Sequence, residues 1–198
     1  MNLGLLAAVF GVVFLAELPD KTMIATLLMA SRGRAAAVWV GASLAFLIQM
    51  GIAVVAGHFL NLLPHLAIEI VVTIMFMGGA IYLLFVPEKE EIKEGEEEVA
   101  GERPGKTALA TAVGAFGVIM VAEFGDLTQL LAATFVARTK EPLSVFIGSS
   151  LALISVAAIG AFGGQLLLRV LPLARIRQLG GVLLLIFGIV SIVRIFIS

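Results

Sequence analysis

Six stretches of this sequence, residues 3–30, 35–56, 67–85, 107–136, 143–171 and 179–197, are almost uninterruptedly apolar and long enough to cross a bilayer. Lipid offers no water to stray backbone N–H and C=O groups, so such runs must be helices that satisfy their own hydrogen bonds. They lack the strict alternation of a membrane barrel strand. The expected fold is an all-α integral membrane protein of six transmembrane helices. Composition agrees, with 61% hydrophobic and 14% charged residues in a chain of 198. That charged share is about half the usual one, too little to clothe a soluble domain. A soluble enzyme, a nucleic-acid binder and a disordered chain are excluded. The absence of cysteine excludes disulfides, thiolate metal sites and cysteine catalysis. The first apolar run has no basic leader and no small-residue cleavage site, and Glu17 interrupts it, so it reads as a retained span.

The net charge of −1 hides an uneven distribution. Residues 87–106 hold eight of the 14 acids and four of the 13 bases. A glutamate-rich run of this kind reads as a solvated, mobile loop, with a regulatory or cation-attracting role as the alternative. It divides the chain into a three-helix unit at 1–86, an acidic cytoplasmic linker at 87–106 and a second three-helix unit at 107–198. Loop bases set orientation. An outside N-terminus puts Arg32, Arg34, Lys89, Lys93, Arg103, Lys106, Arg169, Arg175 and Arg177 inside, against Arg138, Lys140 and Arg194 outside. The expectation is N-out and C-out in the cell membrane, with the linker inside.

The chain is written twice. The run from Ala16 to Thr22, Ala-Glu-Leu-Pro-Asp-Lys-Thr, matches the run from Ala122 to Thr128, Ala-Glu-Phe-Gly-Asp-Leu-Thr. Arg32 matches Arg138, the run from Gly41 to Leu47 matches that from Gly148 to Ile154, Gly57 matches Gly164, and Pro64 matches Pro172. Three spans per half is an odd number, so the halves are expected to enter the membrane from opposite sides. Inverted repeats are a hallmark of alternating-access transporters, whose sites lie near the midplane between the repeats.

Glu17, Asp20, Glu123 and Asp126 fall inside apolar spans. One charge at a helix centre costs ~2.5–3.5 kcal/mol on insertion scales, so four unpaired charges would cost on the order of 10 kcal/mol. A cation, protonation, a watery cavity or Lys21 must offset that. Each Glu–Asp pair is spaced three apart, on one helix face. Pro19 and Gly125 stand between the acids at equivalent positions. Proline frees a carbonyl near Leu15, and glycine weakens a helix, so both first helices are expected to be broken or kinked there. Carboxylates, freed carbonyls and the hydroxyls of Thr22 and Thr128 would make a hard-oxygen site suited to Ca²⁺, Mg²⁺ or Mn²⁺. Lys21, Ser43, Gln49, Gln129 and Ser150 are further pathway candidates. The matched serines also suit close helix packing, as do Gly160 and Gly164. The two glutamines suit either a pore lining or bonds between helices. His58 and His65 fall near an interface and read as solvated.

At the paired motifs the chain resembles the six-span cation/proton exchanger family that includes Golgi Mn²⁺/Ca²⁺ transporters and bacterial Mn²⁺ exporters. That family carries Glu-x-Gly-Asp-(Lys/Arg)-(Thr/Ser) on the first span of each half. The resemblance covers the whole chain and departs at two positions, Pro19 for glycine and Leu127 for a base. It implies that Glu17, Asp20, Glu123 and Asp126 hold the cation, with Thr22 and Thr128 nearby. Four acids against Lys21 leave three negative charges, one more than a divalent ion neutralises. One carboxylate is therefore expected to be protonated while the cation is bound.

The resulting reading is a secondary transporter, not an enzyme, that exports Mn²⁺, or Ca²⁺ as the next choice, against protons. It requires no cofactor beyond the transported ions, and no phosphate-binding GxxxxGK[ST] loop is present. Its partners are the lipid bilayer and the cation, with a homo-oligomer left open. One rival is an exporter of amino acids or small organic molecules, which four membrane acids disfavour. The other is an intramembrane aspartyl protease, to whose Gly-x-Gly-Asp element Phe124-Gly125-Asp126 is similar; Glu123 and the matched Glu17–Asp20 pair argue against it.

Overall fold

The computed structural model describes residues 1–18, 20–60, 62, 64–101, 105, 107–170 and 173–197, with the side chains of residues 65, 88, 89, 91, 164–170, 173, 174, 194 and 197 excepted. Pro19, Glu102, Arg103, Lys106 and Pro172 lie outside the described residues, as do the side chains of His65, Arg169 and Arg194. The described chain is all-helical. Its elements are α1 (Leu3–Glu17), α2 (Lys21–Arg32), α3 (Ala35–Leu60), α4 (His65–Phe85), α5 (Glu88–Glu98), α6 (Ala108–Ala122), α7 (Leu127–Thr139), α8 (Pro142–Val170) and α9 (Leu173–Ile197).

Helices α3, α4, α8 and α9 are each long and apolar enough to cross a membrane. The pairs α1/α2 and α6/α7 are each bent by 69°, and the count of spans rises from four to six if each pair is one span. A helix of 15 residues, the length of α1 and of α6, rises only about 22 Å against a hydrocarbon core of about 30 Å. Neither crosses without its partner. The broken first helices anticipated from the sequence are present in both halves. At the second break Gly125 has φ +82°, a left-handed backbone that a side chain resists.

The long helices turn apolar side chains outward at helical spacing. On α3, Leu44, Ile48, Ile52, Val55 and Phe59 are all exposed. So large an apolar surface is compatible with lipid and not with water. Inside, Phe76 of α4 stacks on Phe187 of α9, and Phe135 of α7 meets both rings edge-on, with ring centroids 5.5 to 6.4 Å apart. Arg177 of α9 is buried against α4, donating to the Val86 carbonyl at 3.1 Å and lying over the Tyr82 ring. A cation there suits the negative end of the α4 dipole.

The matched glycines fix how the halves interlock. A Cβ on Gly148 of α8 would lie 2.7 Å from the Leu6 carbonyl oxygen of α1, and its counterpart Gly41 of α3 is pressed against the Ala112 carbonyl of α6. Further along the same helices, Gly160 meets Met23 and Thr26 of α2, and Gly57 meets Ala133 and Val136 of α7. Each bent pair therefore follows a long helix of the other half from its N-terminal part toward its C-terminal part. The Asn2 N–H donates to Ser144 Oγ at 2.8 Å, tying the start of α1 to the start of α8.

Two charged regions differ from expectation. The acidic linker is not simply a solvated loop, because Glu88–Glu98 forms a helix that lies against α2. Gly95 approaches so closely that a Cβ there would be 2.8 Å from the Lys21 carbonyl oxygen, and Val99 is fully buried. Ile92, Gly95 and Val99 share one helical face, an apolar stripe inconspicuous among the glutamates. Glu69, which had no expected role, is buried at the start of α4. It accepts a hydrogen bond from Ser191 Oγ at 3.0 Å and lies 3.9 Å from Arg138 of α7. His58 is exposed, as expected.

Candidate metal centre

The two breaks meet. α1 ends at Glu17 and α2 begins after Asp20, its N-cap. α6 ends at Ala122 with Glu123 as its C-cap, and α7 begins after Asp126, its N-cap. One carboxylate oxygen from each of Glu17, Asp20, Glu123 and Asp126 lies within 4.8 Å of the other three. Glu17 and Glu123 are 1% and 3% exposed, and Asp20 is 9% exposed.

The helix ends make this a divided electrostatic environment. Asp20 and Asp126 stand at helix N-termini, where the dipole favours negative charge. Neither side chain is spent on capping its own helix. Glu17 and Glu123 stand at helix C-termini, where the dipole opposes negative charge. Two buried carboxylates at unfavourable ends call for a cation or a proton between them.

The threonines bind across the halves. Thr22 Oγ1 of α2 donates to Glu123 Oε1, and Thr128 Oγ1 of α7 donates to Glu17 Oε2. Each bond orients a carboxylate of the opposite half. Glu17 Oε1 is buried and has no hydrogen-bond partner among the described residues, which leaves its lone pairs open to an ion or a proton.

A small cavity at the cluster is lined by Glu17, Glu123, Asp126, Thr128, Gln49 and Gln129 together with Phe46, Met50 and Leu153. Both glutamines line it and also bond between and within elements. Gln49 Nε2 donates to the Ile119 and Met120 carbonyls at 3.1 and 3.3 Å, serving the open C-terminus of α6. Gln129 Nε2 donates to the Glu123 carbonyl, and its Oε1 accepts from the Gly125 N–H at 3.3 Å, closing the second break. Ser43 and Ser150 do not line this cavity, and their buried hydroxyls have no hydrogen-bond partner among the described residues.

Lys21 stands at the rim. Its ammonium donates to the Ala122 carbonyl at 3.4 Å, next to Glu123, and pairs with Glu98 Oε1 of α5 at 3.4 Å. Burial pushes the Glu98 carboxyl above the ordinary carboxylate range, and the Lys21 charge draws it back. Sequence reasoning did not single out Glu98, because no motif links it to the repeats. It also passed over Leu18, Met23 and Val156, which form an apolar cluster at the first break.

Broken helices meeting at buried carboxylates within a lipid-facing bundle describe an integral membrane protein of the ion-transporter class. The chain belongs to the divalent cation/proton antiporter family GDT1, whose sequence profile matches residues 5–91 and 106–196. It is 31% identical to the chloroplast protein PAM71 of Arabidopsis thaliana over 210 residues, covering 96% of this chain and 56% of that relative. The chain thus spans a little over half the length of PAM71. It is 26% identical to GDT1-like protein 3 of Oryza sativa subsp. indica, covering 95% of this chain and 74% of that relative. It is 27% identical to a candidate manganese exporter of Vibrio cholerae, covering 96% of this chain and 90% of that relative. No solved structure gives a significant match.

Proposed function

We propose that this protein is a secondary transporter that exports a divalent cation, Mn²⁺ first and Ca²⁺ next, in exchange for protons. The observation that carries the reading is the approach of four carboxylates, two from each half, to within 4.8 Å of one another. Oxygen donors of this kind suit hard cations, and membrane family kinship with divalent cation/proton antiporters points the same way. The Vibrio relative's name favours Mn²⁺. Glu17, Asp20, Glu123 and Asp126 hold the ion, with Thr22 and Thr128 orienting the two glutamates. Protons take the cation's place on the same oxygens.

The two halves, 1–86 and 107–198, act as inverted three-span repeats that rock about the carboxylates and open them to one side at a time. The reciprocal Thr–Glu bonds support this, as does the way each bent pair tracks a long helix of the other half. The loop bases favour N-out and C-out in the cell membrane, with the acidic linker inside.

The test is flux in proteoliposomes, following Mn²⁺, Ca²⁺ and internal pH together for wild type, Glu17→Gln and Asp126→Asn. Cation entry coupled to proton exit in wild type, lost in both variants, is the expected result. Flux that survives both substitutions sinks the carboxylate site. Amino-acid flux without cation flux would favour the organic exporter.

A further inference from the structure

Lys21 is the single base of the paired motifs, and the structure gives it a partner outside both of them. Its ammonium lies between Glu98 of the linker helix and the Ala122 carbonyl beside Glu123. The pair is largely withdrawn from solvent, with the two side chains 18% and 16% exposed. The placement is built from several directions. Gly95 lets α5 settle onto the first turn of α2, where a Cβ would come within 2.9 Å of the Ile24 Cβ. Val99 is buried just beyond, and its carbonyl accepts a hydrogen bond from Arg32 at 3.2 Å, so the other end of α2 grips the same segment. Glu90, Glu96 and Glu97 take no part in these contacts, whereas Glu98 falls where the close approach brings it to Lys21.

Without the Glu98 counter-charge, the Lys21 ammonium at this rim would be a stronger competing cation. Four carboxylates within 4.8 Å of one another would draw it inward, and a positive charge already present lowers the affinity for a divalent ion. We infer that Glu98 is a positioning residue of the exchanger: it holds Lys21 at the rim, keeps that charge from neutralising the carboxylates, and so makes the linker helix part of the cation site. The inference rests on the proposed cation/proton exchange at that site.

The position has a counterpart that sharpens the claim. Leu127 replaces the base in the second half, and its side chain packs against Gly79. Of the two motifs the first alone carries an ammonium, and among the described residues α5 packs chiefly on the first half's short helix α2.

The decisive comparison is Mn²⁺ binding in detergent by calorimetry, and Mn²⁺ flux in proteoliposomes, for wild type, Glu98→Gln and the double variant Lys21→Gln/Glu98→Gln. Glu98→Gln should raise both Kd and KM at least about fivefold while leaving Vmax nearly unchanged, and the double variant should return both toward wild type. A purely structural role for α5 would instead lower Vmax and thermal stability in both variants with KM unmoved, and that result overturns the inference. Should Glu98→Gln fail to fold, the chain's lack of cysteine allows Glu98→Cys to carry the only thiol. A thiosulfonate reagent bearing a sulfonate should lower KM in that variant, and one bearing a trimethylammonium group should not; equal effects count against the inference. Normal wild-type flux with an unshifted Glu98→Gln refutes the positioning role alone. Absence of Mn²⁺ binding and flux in wild type removes the exchange reading and this inference with it.

Discussion

The two helix breaks share a skeleton and differ in their surroundings. Each has a glutamate at the end of one short helix, an aspartate at the start of the next, and a threonine that reaches across to the other half's glutamate. Around the second break the neighbours are polar: Gln49 and Gln129 satisfy its carbonyls and line the cavity. The repeat places Val156 opposite Gln49 and Met23 opposite Gln129. Both are fully buried and pack with Leu18 around the first break. Leu18 itself is 6% exposed, whereas its counterpart Phe124 is 65% exposed. The carboxylates and threonines are thus duplicated, while their surroundings are not. One break is packed with apolar side chains and flanked by the Lys21–Glu98 pair, and the other is lined by amides that bond its backbone.

Four tests, each by substitution, probe this comparison. The largest effect should come from Glu17→Gln and Glu123→Gln, which each remove one charge from a buried charged group. Breaking such a group costs ~3–5 kcal/mol, or more than about 100-fold in Mn²⁺ affinity. Calorimetry should find the two losses similar, and a large loss in only one would break the equality of the halves as ligand donors. Next come Thr22→Val and Thr128→Val. A hydrogen bond to a charged group contributes ~1.5–3 kcal/mol, so each should weaken Mn²⁺ binding about tenfold or more. Unequal effects would show that one crossing bond matters more than its partner.

The third test separates the surroundings. Gln129→Met strips the Glu123 carbonyl and the Gly125 N–H of their partner, at a cost of ~1–3 kcal/mol for a buried group left unsatisfied. Flux should slow in Gln129→Met more than in Met23→Gln, although both lower the melting temperature in detergent. Equal flux in the two variants would erase the distinction between a polar and an apolar break. The smallest expected change in rate is that of Leu127→Lys, whose long stem can keep its apolar packing while the ammonium reaches the rim. A new base beside the four acids removes one negative charge from their surroundings, so fewer protons should move per cation. Simultaneous recording of Mn²⁺ and pH measures that ratio, and an unchanged value counts against the charge argument.

Much of the site was legible because its physics is local. A carboxylate in an apolar run is costly wherever the helix goes; the three-residue spacing suggested one helix face, but the helices break between Glu17 and Asp20 and between Glu123 and Asp126, and the carboxylates meet at those breaks instead. Gly125 marked a break that its left-handed backbone requires. Ser43 and Ser150 show the limit of the repeat as a guide, since matched polar residues on α3 and α8 did not reach the cavity. The linker shows another limit. Counting glutamates described its solvated side and missed the Ile92–Gly95–Val99 stripe through which α5 settles on α2.

The sequence by itself determined the helices, the two interruptions and the four acids, since backbone satisfaction in lipid and the cost of intramembrane charge act on each segment separately. Only the tertiary structure decided which threonine serves which glutamate, which break receives amides and which receives methionine and valine, and where Lys21 finds its counter-charge. Those outcomes depend on which helix of the opposite half comes to lie alongside, and spacing along one chain carries no record of that neighbour.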